Sequence, residues 1–194
     1  MTYRNGATYI GEWANGLRHG QGLYKFEKNA SEEKYEGSYI NDIRWGYGVQ
    51  DWKSGARYAG EWKNDFRNGL ANFTYGKNDR FKRKLHVGHW KDDAKSGMGV
   101  LYYKDGQTYE GHFDNDLKNG YGKEIYGGAY KGDIYQGQYQ DGLRSGQGTE
   151  YYNNGDTYEG QWKAGKKSGI GTFIWKNGTK YVGNWENGKQ VIMA

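Results

Sequence analysis

The stretch Tyr158-Glu-Gly160-Gln-Trp162-Lys-Ala-Gly165-Lys-Lys-Ser-Gly169-Ile-Gly171-Thr-Phe173-Ile-Trp175-Lys-Asn-Gly178 decides the fold, because close relatives of it recur along the whole chain. Each copy begins with a Tyr-x-Gly-x-Trp head, in which another aromatic residue sometimes replaces Trp. The heads begin at Tyr9, Tyr35, Tyr58, His86, Tyr109, Tyr135, Tyr158 and Tyr181, so the fourth has His in place of Tyr. Residues 1–194 are therefore predicted to form one repeat domain of about eight repeats, preceded by a half repeat at residues 1–6.

Alternation along each copy predicts β-strands. Polar residues alternate with the Tyr, Gly and Trp of each head, which is the period of a strand with two unlike faces. A Gly-x-Gly pair and a second alternating stretch follow, so each repeat is predicted to be a β-hairpin. The Trp column is aromatic in all eight copies: Trp13, Tyr39, Trp62, Trp90, Phe113, Tyr139, Trp162 and Trp185. With 18% aromatic residues in the chain, one face of each hairpin is predicted to carry an aromatic core.

Glycines mark the places where the backbone has special requirements. The glycine between Tyr and Trp is present in every copy, and its missing side chain lets neighbouring rings lie over the backbone. Asn5-Gly6, Ser54-Gly55, Asp105-Gly106, Asn154-Gly155 and Asn177-Gly178 are tight-turn signals between successive hairpins. In the loop between Trp and Gly-x-Gly, one column holds only Gly or Asp and is predicted to be left-handed: Gly16, Asp42, Asp65, Asp93, Asp116, Gly142, Gly165 and Gly188.

The repeat resembles the MORN-repeat family (membrane occupation and recognition nexus), whose units read Tyr-x-Gly-x-Trp-x-x-Gly-x-x-x-Gly-x-Gly. The resemblance covers essentially the whole chain. It implies an all-β fold, an elongated single-sheet array of antiparallel hairpins that is twisted and carries an aromatic groove. This chain departs from the pattern at His86, at Ala71, and at Gln50, Glu124 and Glu150, which interrupt the aromatic face. Those departures predict a locally wetter or irregular face on the same fold.

Extra residues fall between alternate hairpins, near Lys28–Lys34, Lys77–Leu85 and Gly127–Ile134. One interpretation is that these are tolerated surface insertions. The other is that the three loops lie along one edge and grip one long partner.

A row of cations precedes the Gly-x-Gly pairs, two residues before the first glycine. It comprises Arg18, Arg44, Arg67, Lys95, Lys118, Arg144 and Lys167. Each cation could stack on a nearby ring, or the row could bind an acidic helix, an acidic tail or phosphoinositide headgroups. A second cluster, with Lys77, Arg80, Lys82, Arg83 and Lys84, is either a solvated loop or part of such a surface.

Trp45 occupies a position that is polar in the other copies. A large ring in a polar loop column is either a local packing plug or an exposed anchor for a partner. The sequence is compatible with both interpretations.

Several function classes are disfavoured by the sequence. Cysteine is absent, so there is no thiolate nucleophile and no thiolate metal site. His86 and His89 point to opposite faces of a strand, while His89 and His112 lie one repeat apart, so no metal site is predicted. The Gly-x-Gly pairs lie between strands rather than before a helix, which argues against a dinucleotide site. We therefore expect a non-enzymatic protein without a cofactor, and the modest net charge of +5 disfavours nucleic acid as a partner.

The resemblance implies a binding role. MORN proteins of this kind occur in cilia, flagella, sperm and cytoskeletal structures. We therefore expect a cytoplasmic scaffold in an axonemal or cytoskeletal assembly, which binds a protein segment, for example a helix, along its aromatic groove or its basic edge. The family name implies an alternative, a peripheral tether that binds acidic phospholipids. A third alternative is an accessory repeat domain of a larger enzyme. Open sheet ends at Met1–Gly6 and Val191–Ala194 also predict self-association.

Overall fold

A computed structural model describes residues 1–191, and Ile192, Met193 and Ala194 lie outside the described residues. Its strands form one antiparallel sheet in which the strand order follows the chain order. One turn of 3₁₀ helix spans Gly128–Tyr130. The sixteen strands are β1 (Thr8–Ala14), β2 (Leu17–Lys25), β3 (Glu32–Ile40), β4 (Ile43–Trp52), β5 (Arg57–Lys63), β6 (Phe66–Thr74), β7 (Arg83–Lys91), β8 (Ala94–Tyr103), β9 (Thr108–Asp114), β10 (Leu117–Ile125), β11 (Ile134–Gln140), β12 (Leu143–Tyr151), β13 (Thr157–Lys163), β14 (Lys166–Ile174), β15 (Lys180–Glu186) and β16 (Lys189–Gln190). The predicted all-β array of antiparallel hairpins is confirmed.

The chain divides into two compact units, unit 1 (residues 1–96) and unit 2 (residues 97–194). In each unit the buried rings lie on one face of the strands, which we call the front face. The buried cluster of unit 1 comprises Tyr9, Tyr35, Tyr39, Tyr58, Trp62, Ala71 and Trp90. In unit 2 the buried side chains include Tyr109, Phe113, Tyr135, Tyr139, Tyr158, Trp162 and Trp185. The opposite face, which we call the back face, is open to solvent.

Each hairpin closes with a two-residue turn in which both residues are left-handed. Asn41 and Asp42, which join β3 to β4, have φ of 49° and 70°. The predicted left-handed column is confirmed in every copy, and the residue before it is left-handed as well, which is the type I′ turn that matches strand twist. The second strand starts directly after this turn. The interpretation of this segment as a loop was therefore wrong, and the cation row and Trp45 lie within strands.

A β-bulge follows at the first glycine of each Gly-x-Gly pair. The register of β1 with β2 shifts between Gly11 and Trp13, and Gly20 has a φ of 62°. The Glu12 carboxylate supports the bulge by accepting a hydrogen bond from the backbone N–H of Gln21 at 2.7 Å. Because of the shift, Trp13 pairs with Arg18. The bulge therefore places the cation row on the front face beside the aromatic column.

The connections between hairpins lie at the other end of the strands. The predicted tight turns have a left-handed glycine, with φ of 80° at Gly55 and 95° at Gly155, so those predictions are confirmed. The extra residues form three longer connections, residues 26–31, 75–82 and 126–133. Near the N-terminus, Thr2 forms an isolated antiparallel bridge with Thr8. Part of the predicted C-terminal open end, Ile192 to Ala194, lies outside the described residues.

Candidate functional site

The tyrosine of each head lies over a pair of facing glycines. A Cβ on Gly11 would lie 2.5 Å from both the Tyr9 Oη and the Gly22 Cα, so only glycine fits beneath the ring. The Tyr9 hydroxyl donates to the Glu12 carbonyl at 3.0 Å, and the equivalent bond recurs in the later hairpins. Burial raises the pKa of Tyr158 to about 12, so this hydroxyl is neutral at physiological pH and can donate its hydrogen bond. The predicted role of the glycines is confirmed.

Edge-to-face contacts link the tyrosines of the heads before Tyr181 to rings of two hairpins. Tyr35 lies 5.2 Å from Tyr39 in its own hairpin and 5.3 Å from Trp62 in the next, with interplanar angles of 78° and 90°. In unit 2, Tyr135 makes the same pair of contacts with Tyr139 and Trp162. Such pairs stabilise by ~0.5–1.5 kcal/mol beyond the burial of area. Trp13 is 43% exposed. The other members of its column are covered by a ring of the preceding hairpin, and no hairpin precedes β1.

The cation row of unit 1 packs under aspartates from the turns. The Nε atom and the backbone amide of Arg44 both donate to the Asp65 Oδ1, at 2.9 and 3.0 Å, and Nη2 donates to the Asp65 carbonyl. The guanidinium of Arg44 lies 4.1 Å from the Trp62 ring centroid. Arg18 with Asp42 and Arg67 with Asp93 repeat this arrangement. Hydrogen bonds from the Arg18 side chain lower the pKa of Asp42.

The cation row of unit 2 uses glutamates within the sheet instead. The Lys118 ammonium contacts the Glu124 carboxylate, which also accepts the Tyr139 hydroxyl at 2.8 Å. Burial lowers the pKa of Lys118, and the Glu124 charge opposes that shift. Arg144 donates to Glu150 at 2.6 Å, and its guanidinium lies 4.2 Å from the Trp162 centroid.

The remaining cations and the polar interruptions are also buried or half-buried. Lys167 lies 3.9 Å from Glu150 and within 5.1 Å of four ring centroids. Lys95 is 3% exposed. Gln50 is fully buried and donates to the Lys34 and Asp51 carbonyls. The expectation of a locally wetter face was wrong at Gln50 and Glu124, because both are buried and hydrogen-bonded.

The sequence interpretation missed the carboxylates that bind these cations. The signal was present in two columns, the Asp of the turn column and the Glu that replaces an aromatic residue in β10 and β12. Stacking on nearby rings, one of the two interpretations of the row, is observed for Arg18, Arg44, Arg67, Lys118, Arg144 and Lys167.

Each unit has an aromatic depression on its front face. In unit 1 a depression of about 440 Å³ is lined by Trp52, Trp62 and Phe73, with Arg44 and Arg67 among its polar groups. In unit 2 a depression of about 490 Å³ is lined by Tyr126, Tyr130 and Tyr152, with Arg144, Asp133 and Glu150. Both combine apolar ring surface with a few fixed polar groups, which is the composition of a binding site for part of another molecule.

The basic loop between β6 and β7 is ordered around Asp79. This carboxylate accepts the Arg83 guanidinium at 2.6 Å and the backbone amides of Phe81 and Arg83. Bonds from the Arg83 side chain lower the pKa of Asp79. Phe81 is 54% exposed, with the Arg80 guanidinium 4.5 Å from its centroid. Lys82 and Lys84 are exposed beside it.

Trp45 lies in β4 rather than in a loop, and it faces the back of the sheet. Arg44 pairs with Tyr39, and Gly48 pairs with Gly37 and Gly60, all of which belong to the front face. Because side chains alternate along a strand, the odd-numbered residues Ile43, Trp45, Tyr47 and Val49 point to the back face. Trp45 is 38% exposed, so most of its surface is covered. The burial is compatible with a plug and the remaining exposure with an anchor.

Among residues 1–191, no group of three or more His, Asp or Glu side chains is placed to hold a metal ion. In the same described part of the chain, no helix is long and apolar enough to cross a membrane.

Comparison with known proteins places these features in a family. The family model described as MORN repeat matches residues 9–31, 35–57, 58–80, 86–108, 109–128, 135–157, 158–180 and 181–191. Alsin of Rattus norvegicus is 29% identical over 116 residues, which is 60% of this chain and 6% of alsin. MORN repeat-containing protein 3 of Xenopus laevis is 35% identical over 128 residues, which is 63% of this chain and 32% of that protein. The chain thus spans less than a third of the length of either relative.

Proposed function

This chain belongs to the MORN-repeat family, whose repeats mediate protein or membrane interactions, and we propose that it is a non-catalytic scaffold that binds a protein segment through its aromatic front face. The observation that carries the proposal is the depression of unit 1. Trp52 and Phe73 are partly exposed there and offer ring surface without any need for the protein to open, while Trp62 is buried. Preformed aromatic pockets with few polar groups are where binding energy concentrates in protein interfaces.

The cation row supports this face rather than forming a free basic surface. The side chains of Arg18, Arg44 and Arg67 are only 21% to 25% exposed, and each has an aspartate partner. We expect an apolar or aromatic side chain of the partner to enter the depression. Arg44 or Arg67, which line it, then donates a hydrogen bond to the backbone of the bound segment. An acidic segment gains less from the row, since each positive charge is already matched.

Substitution of Trp52 tests the proposal. A partner is recovered by pull-down and mass spectrometry, and its binding is then measured with purified Trp52→Ser protein. Affinity should fall by about tenfold or more, as expected for a central aromatic residue. Trp175→Ser is the matched control and should leave the affinity unchanged, because Trp175 in unit 2, like Trp52 in unit 1, stands four residues after the second glycine of a Gly-x-Gly pair. Unchanged affinity of Trp52→Ser, with an unchanged melting temperature, would refute the assignment to this depression.

One observation favours a second candidate, a peripheral tether to acidic phospholipids. Exposed Phe81 beside Arg80, Lys82 and Lys84 has the chemistry of an interfacial anchor, an apolar ring flanked by cations. Flotation with phosphatidylserine vesicles at physiological salt measures this. The tether predicts that Phe81→Ser together with Lys82→Glu abolishes flotation, and binding that survives these changes would exclude the loop.

Cellular placement follows from the same premise. We propose a cytoplasmic location in an axonemal or cytoskeletal assembly, supported by the resemblance to stand-alone MORN proteins. Immunofluorescence after detergent extraction measures it: the protein should remain with the cytoskeletal fraction, and complete release into the soluble fraction would contradict it.

A further inference from the structure

The back face of β4 carries an apolar stripe that the fold does not require. Ile43, Trp45, Tyr47 and Val49 all point backward, and Ile43, Trp45 and Tyr47 are 39%, 38% and 62% exposed. The position of Trp45 is polar in six other copies, where it is His19, Asn68, Ser96, Asn119, Ser145 or Ser168. The same hairpin forms with a polar residue there, so packing alone does not explain a tryptophan.

The equivalent place in unit 2 shows what the tryptophan changes. Asn119 and Ser145 line a back-face depression of about 430 Å³ together with Tyr121 and Gln138. In β4 of unit 1, Trp45 occupies the position that is equivalent to Asn119. Ile43 precedes it and Tyr47 and Val49 follow it on the same face of the strand. Ile40 on the neighbouring strand β3 pairs with Ile43 and is 43% exposed. The result is an apolar stripe along β4 that Ile40 extends onto β3.

The size of the stripe fits one helix better than a second copy of the chain. Ile43 to Val49 spans ~20 Å, and β3 to β5 spans ~10 Å across the strands. An α-helix with its side chains is ~10 Å wide. A stable dimer buries ~800 Å² on each partner, several times the area of this stripe.

Charges beside the stripe indicate the chemistry of that helix. Glu36 on β3 and Glu61 on β5 are exposed on either side of Tyr47 and Val49. Lys63 lies near the turn, and Lys34 and Arg57 farther along the strands pair with Asp51. The middle of the stripe is therefore flanked by carboxylates, which repel an anionic membrane. We propose that the back face of β4 is a second docking surface, for an amphipathic helix whose apolar stripe is flanked by lysine or arginine.

This inference is independent of the front-face proposal, because the two surfaces lie on opposite faces of the sheet in unit 1. Two synthetic helices serve as probes, both with a Leu/Phe stripe, one flanked by lysines and the other by glutamates. Fluorescence anisotropy of each labelled peptide is measured with the purified protein. The lysine peptide should bind at least tenfold more tightly than the glutamate peptide, because of the flanking carboxylates.

Four variants locate the binding. Tyr47→Gln should lower the affinity for the lysine peptide about tenfold without changing the melting temperature, because Gln21 and Gln147 occupy this column in other hairpins. Glu36→Lys should weaken it severalfold. Tyr121→Gln, the same column in unit 2, should leave it unchanged. Trp45→Ser should weaken binding too, and a fall in melting temperature with full affinity would make Trp45 a plug.

The competing occupants have distinct outcomes. Failure of the lysine peptide to bind, or an equal loss in Tyr47→Gln and Tyr121→Gln, overturns the proposal. Flotation with phosphatidylserine vesicles that Tyr47→Gln removes would assign the patch to a membrane. A dimer in sedimentation equilibrium that Tyr47→Gln dissociates would assign it to a second copy. Loss of partner binding in Trp52→Ser has no bearing on this peptide, so failures of the two proposals are distinguishable.

Discussion

In unit 1 the arginines of the cation row bind aspartates of the hairpin turns, whereas in unit 2 the corresponding cations bind glutamates within the sheet. Arg44 in unit 1 and Arg144 in unit 2 lie at almost the same distance from an indole centroid, 4.1 and 4.2 Å. Their carboxylates differ in position: Asp65 is 49% exposed and Glu150 is 11% exposed. Arg44 and Arg144 thus occupy equivalent positions, although the carboxylate that binds Arg44 is half exposed and the one that binds Arg144 is largely buried.

The difference teaches that two columns substitute for each other. Where the turn residue is Asp65, the inner position holds the neutral Gln50. Where the turn residue is Gly142 or Gly165, the inner position holds Glu124 or Glu150. A cation under aromatic rings needs a nearby carboxylate, and either the turn or the inner strand supplies it.

The largest effect is expected from removing a buried carboxylate in unit 2. Glu124→Gln leaves Lys118 buried without its counter-charge, which should cost about 3–5 kcal/mol of unfolding free energy. Asp65→Asn, the matched change in unit 1, removes an exposed carboxylate and should cost about 1 kcal/mol or less. Chemical denaturation of both variants measures the two losses.

Amide hydrogen exchange on the same samples shows which unit each substitution destabilises. Glu124→Gln should accelerate exchange in β9 to β12, because those strands surround Lys118. Equal losses in Glu124→Gln and Asp65→Asn would show that burial of the carboxylate does not distinguish the units.

Moving the carboxylate from strand to turn should partly restore stability. Gly165 has a φ of 79° and open space where a Cβ would stand, and its carbonyl already accepts the Arg144 Nη2 at 3.2 Å. Aspartate tolerates this conformation in unit 1. Gly165→Asp should therefore recover about 1 kcal/mol in a Glu150→Gln background.

A double-mutant cycle measures that coupling. Gly165→Asp alone should change stability little, because Arg144 still has Glu150. Gly16→Asp is the control. It places an aspartate in the same turn column, but no member of the cation row precedes Gly16 in the chain. Absence of any recovery would show that the two columns are not interchangeable.

The smallest effect is expected in acid, through Asp42. Its pKa is lowered by Arg18, so the folded state binds fewer protons than the unfolded state. The stabilisation is present above the ordinary carboxyl range and is lost as the pH falls through the lowered pKa, below about pH 4. Because Asp42 is exposed, the difference in unfolding free energy between wild type and Asp42→Asn should be under about 1 kcal/mol at pH 6 and should shrink as the pH falls below about 4. A difference that grows on acidification would contradict the sign.

Much of the fold could be predicted from columns of the repeat, because each column imposes one local requirement. The glycine beneath Tyr9 and the left-handed residue at Asp42 are set by contacts within one hairpin, and both predictions are confirmed. The partner of Arg18 is Asp42, in the turn of the next hairpin, and sequence spacing does not show which nearby group a flexible side chain reaches. The left-handed residue before that column was missed although the sequence carried a signal for it, since seven of its eight members are Asn or Asp, which tolerate this conformation, and only Ala164 is not.

The sequence alone determined the number of repeats, the hairpin in each and the aromatic side of every strand, because side-chain alternation and glycine positions act locally. Only the tertiary structure decided which cations are neutralised, and by what. The bulge sets Arg44 opposite Tyr39 on the front face and leaves Trp45 on the back, since extra residues in one strand change which residues of the neighbouring strand they face. That assignment depends on pairing between strands, and pairing exists only once the hairpins have come together.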